Sequence, residues 1–266
     1  MLLAIDAGNT NIVFAVCDGD EIVAEWRSTT RTGHTSDEYA EWLSGLLKLK
    51  NLSFADLAEA IIASVVPNAM HDLKKLCTVY LQCEPMIIGA PDIQLGIGNK
   101  TDRPEAVGAD RLINAVAAHE RYPGALIIID FGTATTFDVV AENGDYEGGV
   151  IAPGVNLSAE ALHQAAAMLP RVVVKQTQSV IGRDTVPAMQ SGLYWGYVAL
   201  IEGLVTRIKA EYGKPMTVIA TGGLAGQFTQ QIALIEHADP DLTIRGLIFV
   251  HRRNATARAR VAGVSV

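Results

Sequence analysis

The chain has 266 residues, 49% of them apolar and 19% charged, against a charged share of roughly 25% in average globular domains. This excludes intrinsic disorder and predicts a well-buried core, with some surface covered by a partner subunit. The formal net charge of -8 argues against generic nucleic-acid binding, which needs clustered Lys and Arg. No apolar run approaches the roughly 20 residues that cross a bilayer. The opening MLLAIDAGNT lacks the basic lead-in of a secretory signal, so no membrane association is expected. Cys17, Cys77 and Cys83 have neither disulfide-framework nor zinc spacing, which fits the cytoplasm.

Residues 2–5 and 12–16 and the run EIVAEW read as three strands of a meander. The first turn, DAGNTN (6–11), holds six small residues, four of them polar, unlike the Asn-Gly or Asp-Gly turns that hairpins favour. Residues 35–49 read as a helix opened by a Thr35/Glu38 capping box, with Tyr39, Trp42, Leu43, Leu46 and Leu47 on one face. Then come a buried strand at 60–66 stopped by Pro67, a helix at 71–82 and a short strand at 86–88. A loop follows over 91–107. Gly108-Ala109-Asp110-Arg111 opens a helix that ends at Gly124. After the strand that follows, 148–155 reads as strand then turn, 158–168 and 186–210 as helices, and 217–223 as a strand ending in a glycine pair. His251, Arg252, Arg253, Arg258 and Arg260 read as a solvated tail.

The chain repeats itself. LLAIDAGNTNIVFAV (2–16) aligns without a gap on LIIIDFGTATTFDVV (126–140), so that Asp6 falls on Asp130, Gly8 on Gly132 and Val16 on Val140. Each copy opens a domain, which predicts an α/β protein of two domains, 1–115 and 116–266, divided inside the helix near 112–122.

A strand ending in Asp-x-Gly and running into Thr/Asn-rich backbone suits phosphate chemistry. Glycine admits close backbone approach, N–H groups and hydroxyls cradle oxygens, and the carboxylate can hold a cation. One such turn is explained equally well as a polar hairpin. Two at matching positions, with Thr221-Gly222-Gly223 closing a third strand, point to a nucleotide held by two similar domains.

This arrangement resembles the acetate and sugar kinase, Hsp70 and actin superfamily, whose two ribonuclease-H-like domains have mixed sheets flanked by helices and hold ATP in the cleft between them. DAGNTN, PEAVGADR (104–111), DFGTATTFD (130–138), GGVIAPG (148–154), IGRDT (181–185), SGLYWG (191–196) and TGG (221–223) follow the order and spacing of the type III pantothenate kinase family, from residue 1 to about 254. The resemblance implies ATP-dependent phosphorylation of the 4′-hydroxyl of pantothenate, the first step towards coenzyme A. Asp110 becomes the candidate general base, with a carboxylate serving only the helix dipole as the alternative. Arg111 is expected to pair with the pantothenate carboxylate, flanked by Gly108 and Ala109. Thr185 would line the same pocket, and as a helix N-cap it needs no further role. Asp6 would orient Mg²⁺-ATP, with Ala7, Gly8, Asn9, Thr10 and Asn11 around the phosphates and Thr133 reaching the nucleotide. Asp130 resembles the family's ligand for potassium or ammonium; on residues alone it could equally serve a second Mg²⁺. Gly222 and Gly223 would admit the adenosine, or serve close helix–strand packing. Thr101 stands where many members carry an aromatic residue, which bears on pocket shape.

The six histidines show no metal-ligand spacing. The apolar stretch 192–205 suggests surface buried in a homodimer, as the resemblance also implies. Two rivals remain: a kinase for another small hydroxy acid or sugar, and a nucleotide-binding homologue that acts without catalysis through a protein or DNA partner.

Overall fold

A computed structural model describes residues 1–165 and 169–261, with side chains through 256. In chain order the elements are β1 (Leu2–Ala7), β2 (Asn11–Asp18), β3 (Glu21–Thr29), α1 (Ser36–Leu49), β4 (Glu59–Ser64), α2 (Pro67–Lys75), β5 (Met86–Ile87) and α3 (Ala109–Arg121). Then follow β6 (Ala125–Phe131), β7 (Ala134–Val140), β8 (Tyr146–Pro153), α4 (Val155–Ala165), α5 (Thr185–Tyr212), β9 (Met216–Thr221), α6 (Ala225–Phe228), β10 (His237–Ala238) and α7 (Leu242–Val261).

Contacts divide the chain into two units, one of Met1–Gly98, Asp102–Ala117 and residues 241 onward, the other of Asn99–Thr101 and Ala118–Pro240. The division crosses α3, the helix in which the sequence places its boundary. A single cut at 115/116 does not describe it, because α7 packs with the first unit and Asn99–Thr101 with the second.

In the first unit the sheet order is β3-β2-β1-β4-β5. The meander β1-β2-β3 is antiparallel, and β4 and β5 extend the sheet in parallel. One face buries Leu3, Ile5, Ile12 and Phe14 against α1 and α2 through Tyr39, Leu43, Leu47 and Leu73. The other buries Ala4, Ala15, Cys17 and Ile61 against Ile113 and Val116 of α3 and Ile244, Leu247 and Ile248 of α7. The α1 capping box forms as expected: Glu38 N–H donates to Thr35 Oγ1 at 3.3 Å and Thr35 N–H donates to Glu38 Oε2 at 2.8 Å.

The second sheet, β8-β7-β6-β9-β10, has the same order and the same parallel and antiparallel pairings. Ile127, Ile129, Phe131 and Phe137 pack on Tyr194, Tyr197, Val198, Ile201 and Val205 of α5 and on Phe228. The apolar face of 192–205 therefore fills this unit's own core rather than lying open. Large apolar side chains are exposed elsewhere, with Ile151 at 65%, Leu157 at 51%, Val173 at 77%, Val180 at 65% and Ile181 at 80%.

Several sequence expectations shift. The helix read at 71–82 begins at Pro67, because proline is tolerated where the first amide needs no intrahelical partner. It continues as a wide π-helical turn over Leu76–Leu81. The helix read at 158–168 begins at Val155, and residues 166–168 lie outside the described residues. The tail is not simply solvated. His251 and Asn254 are buried, His251 Nε2 lies 3.5 Å from Glu59 Oε1, and Arg253 Nη1 donates to Leu95 O at 2.6 Å. Arg252 does sit at the surface, bonded to Asp20. The side chains of Arg258 and Arg260 lie outside the described residues. Cys17 is a core residue, its thiol pushed up to about 12 by burial, with the charge of Glu25 adding to the effect.

Gly246 of α7 lies directly on Ile113 of α3: a Cβ there would overlap Ile113 Cγ2 and the Ile113 carbonyl oxygen. Alanine improves intrinsic helix stability by roughly 1 kcal/mol, but overpacking costs about 1–3 kcal/mol. Gly246→Ala should therefore lower stability in urea unfolding; an unchanged or raised midpoint would contradict this close approach.

Candidate active site

In the first unit, Asp6 stands one residue before the end of β1, opposite Val13 of β2 and beside Ala63 of β4. The turn that follows is closed by Gly8 N–H donating to Asn11 O at 3.0 Å. Thr30, the residue after β3, holds it from the far side, its amide donating to Thr10 O at 2.9 Å and its hydroxyl to Gly8 O at 2.7 Å. Asn9, Thr10 and Asn11 are exposed.

The GADR segment meets this same end of the sheet. Val65, just past β4, donates its amide to Ala7 O at 3.1 Å, and a Cβ on Gly108 would lie 3.5 Å from Val65 Cγ1. Ala109, Asp110 and Arg111 form the first turn of α3 and are half-buried. Asp110 Oδ1 accepts from Arg111 N–H at 2.8 Å, so one carboxylate oxygen is fixed to the helix N-terminus. Residues 6–11 and 108–111 thus gather at the C-terminal ends of β1 and β4, where open α/β sheets bind ligands.

The second unit repeats the device. Asp130 lies in β6 between Thr136 of β7 and Thr221 of β9. Gly132 N–H donates to Ala134 O at 3.1 Å, and Gly154, the residue after β8, donates to Thr133 O at 3.1 Å. Thr10 and Thr133 therefore occupy matching places, each held by the residue that follows the third strand. The second turn is one residue shorter, so Leu3 pairs with Val16 while Ile127 pairs with Val139. The gapless repeat is thus displaced by one residue on the return strand. The bulges confirm the shift, falling at Val16/Cys17 in one unit and Val139/Val140 in the other.

Gly222 follows β9 with φ +89, and a Cβ on it would overlap Asp130 Oδ1 and lie 2.7 Å from Phe131 N. The close approach at Gly222 is to β6, where the strand exit presses on the Asp130 carboxylate, and not the helix–strand packing offered as the alternative. Gly223 beside it is exposed. Behind the turn, Thr135 is hydrogen-bonded to Tyr197. Burial pushes the Tyr197 phenol up, and the nearby Asp130 charge adds to it.

Thr185 is exposed and is the first residue of α5 rather than its cap. Asp184 is the cap, its Oδ1 accepting from Thr185 N–H at 2.7 Å. A carboxylate accepts an N-terminal amide at least as well as a hydroxyl does. Sequence reasoning also missed Thr30, and it quoted Gly154 only as the end of the motif 148–154, without its bond to Thr133. It quoted Asp138 without a role. That carboxylate is fully buried and accepts from Tyr146 OH at 2.8 Å and Thr136 Oγ1 at 2.9 Å.

Among the described residues no group of three or more His, Cys, Asp or Glu could cage a metal ion. Asp6 and Asp130 each supply a single carboxylate beside a small-residue turn. That donor set fits a cation whose remaining ligands come from phosphate oxygens and water, the usual habit of Mg²⁺ at nucleotides.

Comparison with known proteins agrees with this geometry. The chain is 59% identical to the type III pantothenate kinase of Paramagnetospirillum magneticum over 256 residues, covering 96% of this chain and 98% of the relative. It is also 59% identical to that of Rhodospirillum rubrum over 254 residues, covering 96% and 99%. Among solved structures, a Baf family protein of Campylobacter jejuni shares the fold with a TM-score of 0.59 at 18% identity, covering 96% of this chain and 99% of that one. The type III pantothenate kinase profile matches residues 2–207, and the chain belongs to that family.

Proposed function

We propose that the chain transfers the γ-phosphoryl group of ATP to the 4′-hydroxyl of pantothenate, giving 4′-phosphopantothenate for coenzyme A synthesis. The observation that carries this reading is the Asp-x-Gly turn built twice, with Asp110-Arg111 intact beside the first, in a chain of this family. Phosphoryl transfer demands positioning and charge neutralisation, with little covalent work for the protein. The amides and hydroxyls of residues 7–11 cradle phosphate oxygens, and Asp6 orients Mg²⁺-ATP. Thr133, Gly222 and Gly223 meet the nucleotide. Asp110 takes the proton of the attacking hydroxyl, and its bond to the Arg111 amide keeps that carboxylate from turning away. Arg111 holds the pantothenate carboxylate through its planar fork, with Gly108 and Ala109 alongside and Thr185 at the same pocket. Asp130 holds a monovalent cation, potassium or ammonium, which would neutralise phosphate charge with looser geometry than Mg²⁺ requires.

We further propose a cytoplasmic homodimer that uses neither nucleic acid nor membrane. Free thiols at all three cysteines support the compartment. Exposed Ile151, Leu157, Val173, Val180 and Ile181, all in one unit, support the dimer. A non-catalytic homologue is disfavoured because Asp6, Asp110, Arg111, Asp130 and Thr133 are all present.

ADP release from Mg-ATP should depend on pantothenate; release with related acids but not with pantothenate would refute the substrate. Asp110→Asn should lower kcat by about 100-fold or more with little change in ATP affinity. Arg111→Ala should instead raise the KM for pantothenate by about 10- to 100-fold, from a lost charge-assisted pair of roughly 1.5–3 kcal/mol; an unchanged KM would remove Arg111 from this role. At fixed ionic strength, activity in potassium should exceed that in sodium, and equal rates would exclude the cation role of Asp130. Light scattering under assay conditions should give twice the chain mass, whereas a fully active monomer would contradict the dimer.

A further inference from the structure

The base-bearing helix α3 is held by α7, which begins beyond the residues that the family profile matches. Asn114 lies one helical turn below Asp110, on the same side of α3. Its side chain is buried, at 1% exposure, and Asn114 Oδ1 accepts a hydrogen bond from Thr243 Oγ1 at 2.8 Å. Thr243 is in the first turn of α7. One turn further along, on the same side of α7, Gly246 lies against Ile113, the residue next to Asn114. At this contact between the two helices a polar pair therefore sits beside a glycine notch.

We propose that Asn114 and Thr243 are positioning residues for Asp110, fixing the axial and rotational setting of α3. This rests on the reading of Asp110 as the base. Losing this bond leaves a buried polar group with an unmet hydrogen bond, which is costly in a packed interior. A slide or rotation of α3 against α7 breaks this pair, and the close approach of Gly246 to Ile113 resists the same movement. Asp110 Oδ1 is bonded to its own helix at Arg111 N–H, so where α3 sits is where the carboxylate sits. The far part of α7 is anchored in turn. Gln94 N–H donates to Asn254 Oδ1 at 2.8 Å, and Asn254 Nδ2 donates to Gln94 O at 2.9 Å. Thr243 thus acts from a helix that is itself pinned.

The test uses Thr243→Val, which keeps the branched shape and removes the donor, and Thr243→Ser, which restores it. Displacement of a catalytic group by about 1 Å costs up to roughly 100-fold, so Thr243→Val should lower kcat by about 10- to 100-fold. The KM for ATP should be unchanged, and Thr243→Ser should recover most of kcat. An unchanged kcat in Thr243→Val, or a loss in Thr243→Ser equal to that in Thr243→Val, would overturn the proposal. Should Thr243→Val not fold, Thr243→Ala is compared with Thr243→Ser in the same way. If Asp110→Asn stays active, the base assignment fails; if Asp110→Asn is inactive while Thr243→Val is fully active, only the positioning role fails.

Discussion

The constraint on which the rest depends is where each central strand stops. β1 and β6 each carry an aspartate at their last turnward positions, and two residues later a glycine amide reaches a carbonyl at the start of the return strand. Gly8 bonds Asn11 and Gly132 bonds Ala134. This hydrogen bond reverses the chain tightly enough for the next strand to pair with the first. It also leaves small residues facing outward beside a carboxylate. The residue after the third strand, Thr30 or Gly154, then ties the turn from the other side. The shape proposed to hold phosphate is in this sense a by-product of how the meander closes, and duplicating the meander duplicates that shape.

Much of this was legible in the residues. The meander, the capping box at Thr35, the buried strand before Pro67 and the strand ending in Gly222-Gly223 all follow from local chemistry. The duplication was visible because the Asp-x-Gly core survives in both copies. The one-residue difference in turn length was not. IVFAV is apolar on both faces, and in TTFDVV the adjacent Phe137 and Asp138 are both buried, so neither run shows an alternation that fixes its register. Only the ladder and its bulges fix the register. The cap of α5 was misread for a related reason, since Asp184 and Thr185 are both good caps and sequence cannot tell which stands outside the helix.

Long-range packing was the least legible. The stretch 192–205 looks suited to a subunit interface because α5 is apolar around most of its surface, yet Tyr194, Ile201 and Val205 fill their own unit. In α7 the reverse occurred. The arginines of the tail suggest solvent, while His251 and Asn254 among them are buried. Gly246 is unfavourable by helix propensity and becomes intelligible only when Ile113 is seen against it. The support of Asp110 therefore comes from a part of the chain that carries no recognisable motif.

The central claim is that these turns and Asp110 serve phosphorylation of the pantothenate alcohol. Phosphorus NMR of a reaction containing the protein, Mg-ATP, potassium and pantothenate tests it most directly. The account predicts a phosphomonoester resonance coupled to the 4′-methylene protons, growing as the γ-phosphate signal of ATP declines. Loss of the γ-phosphate to inorganic phosphate alone, or no loss at all with ATP bound, would contradict it.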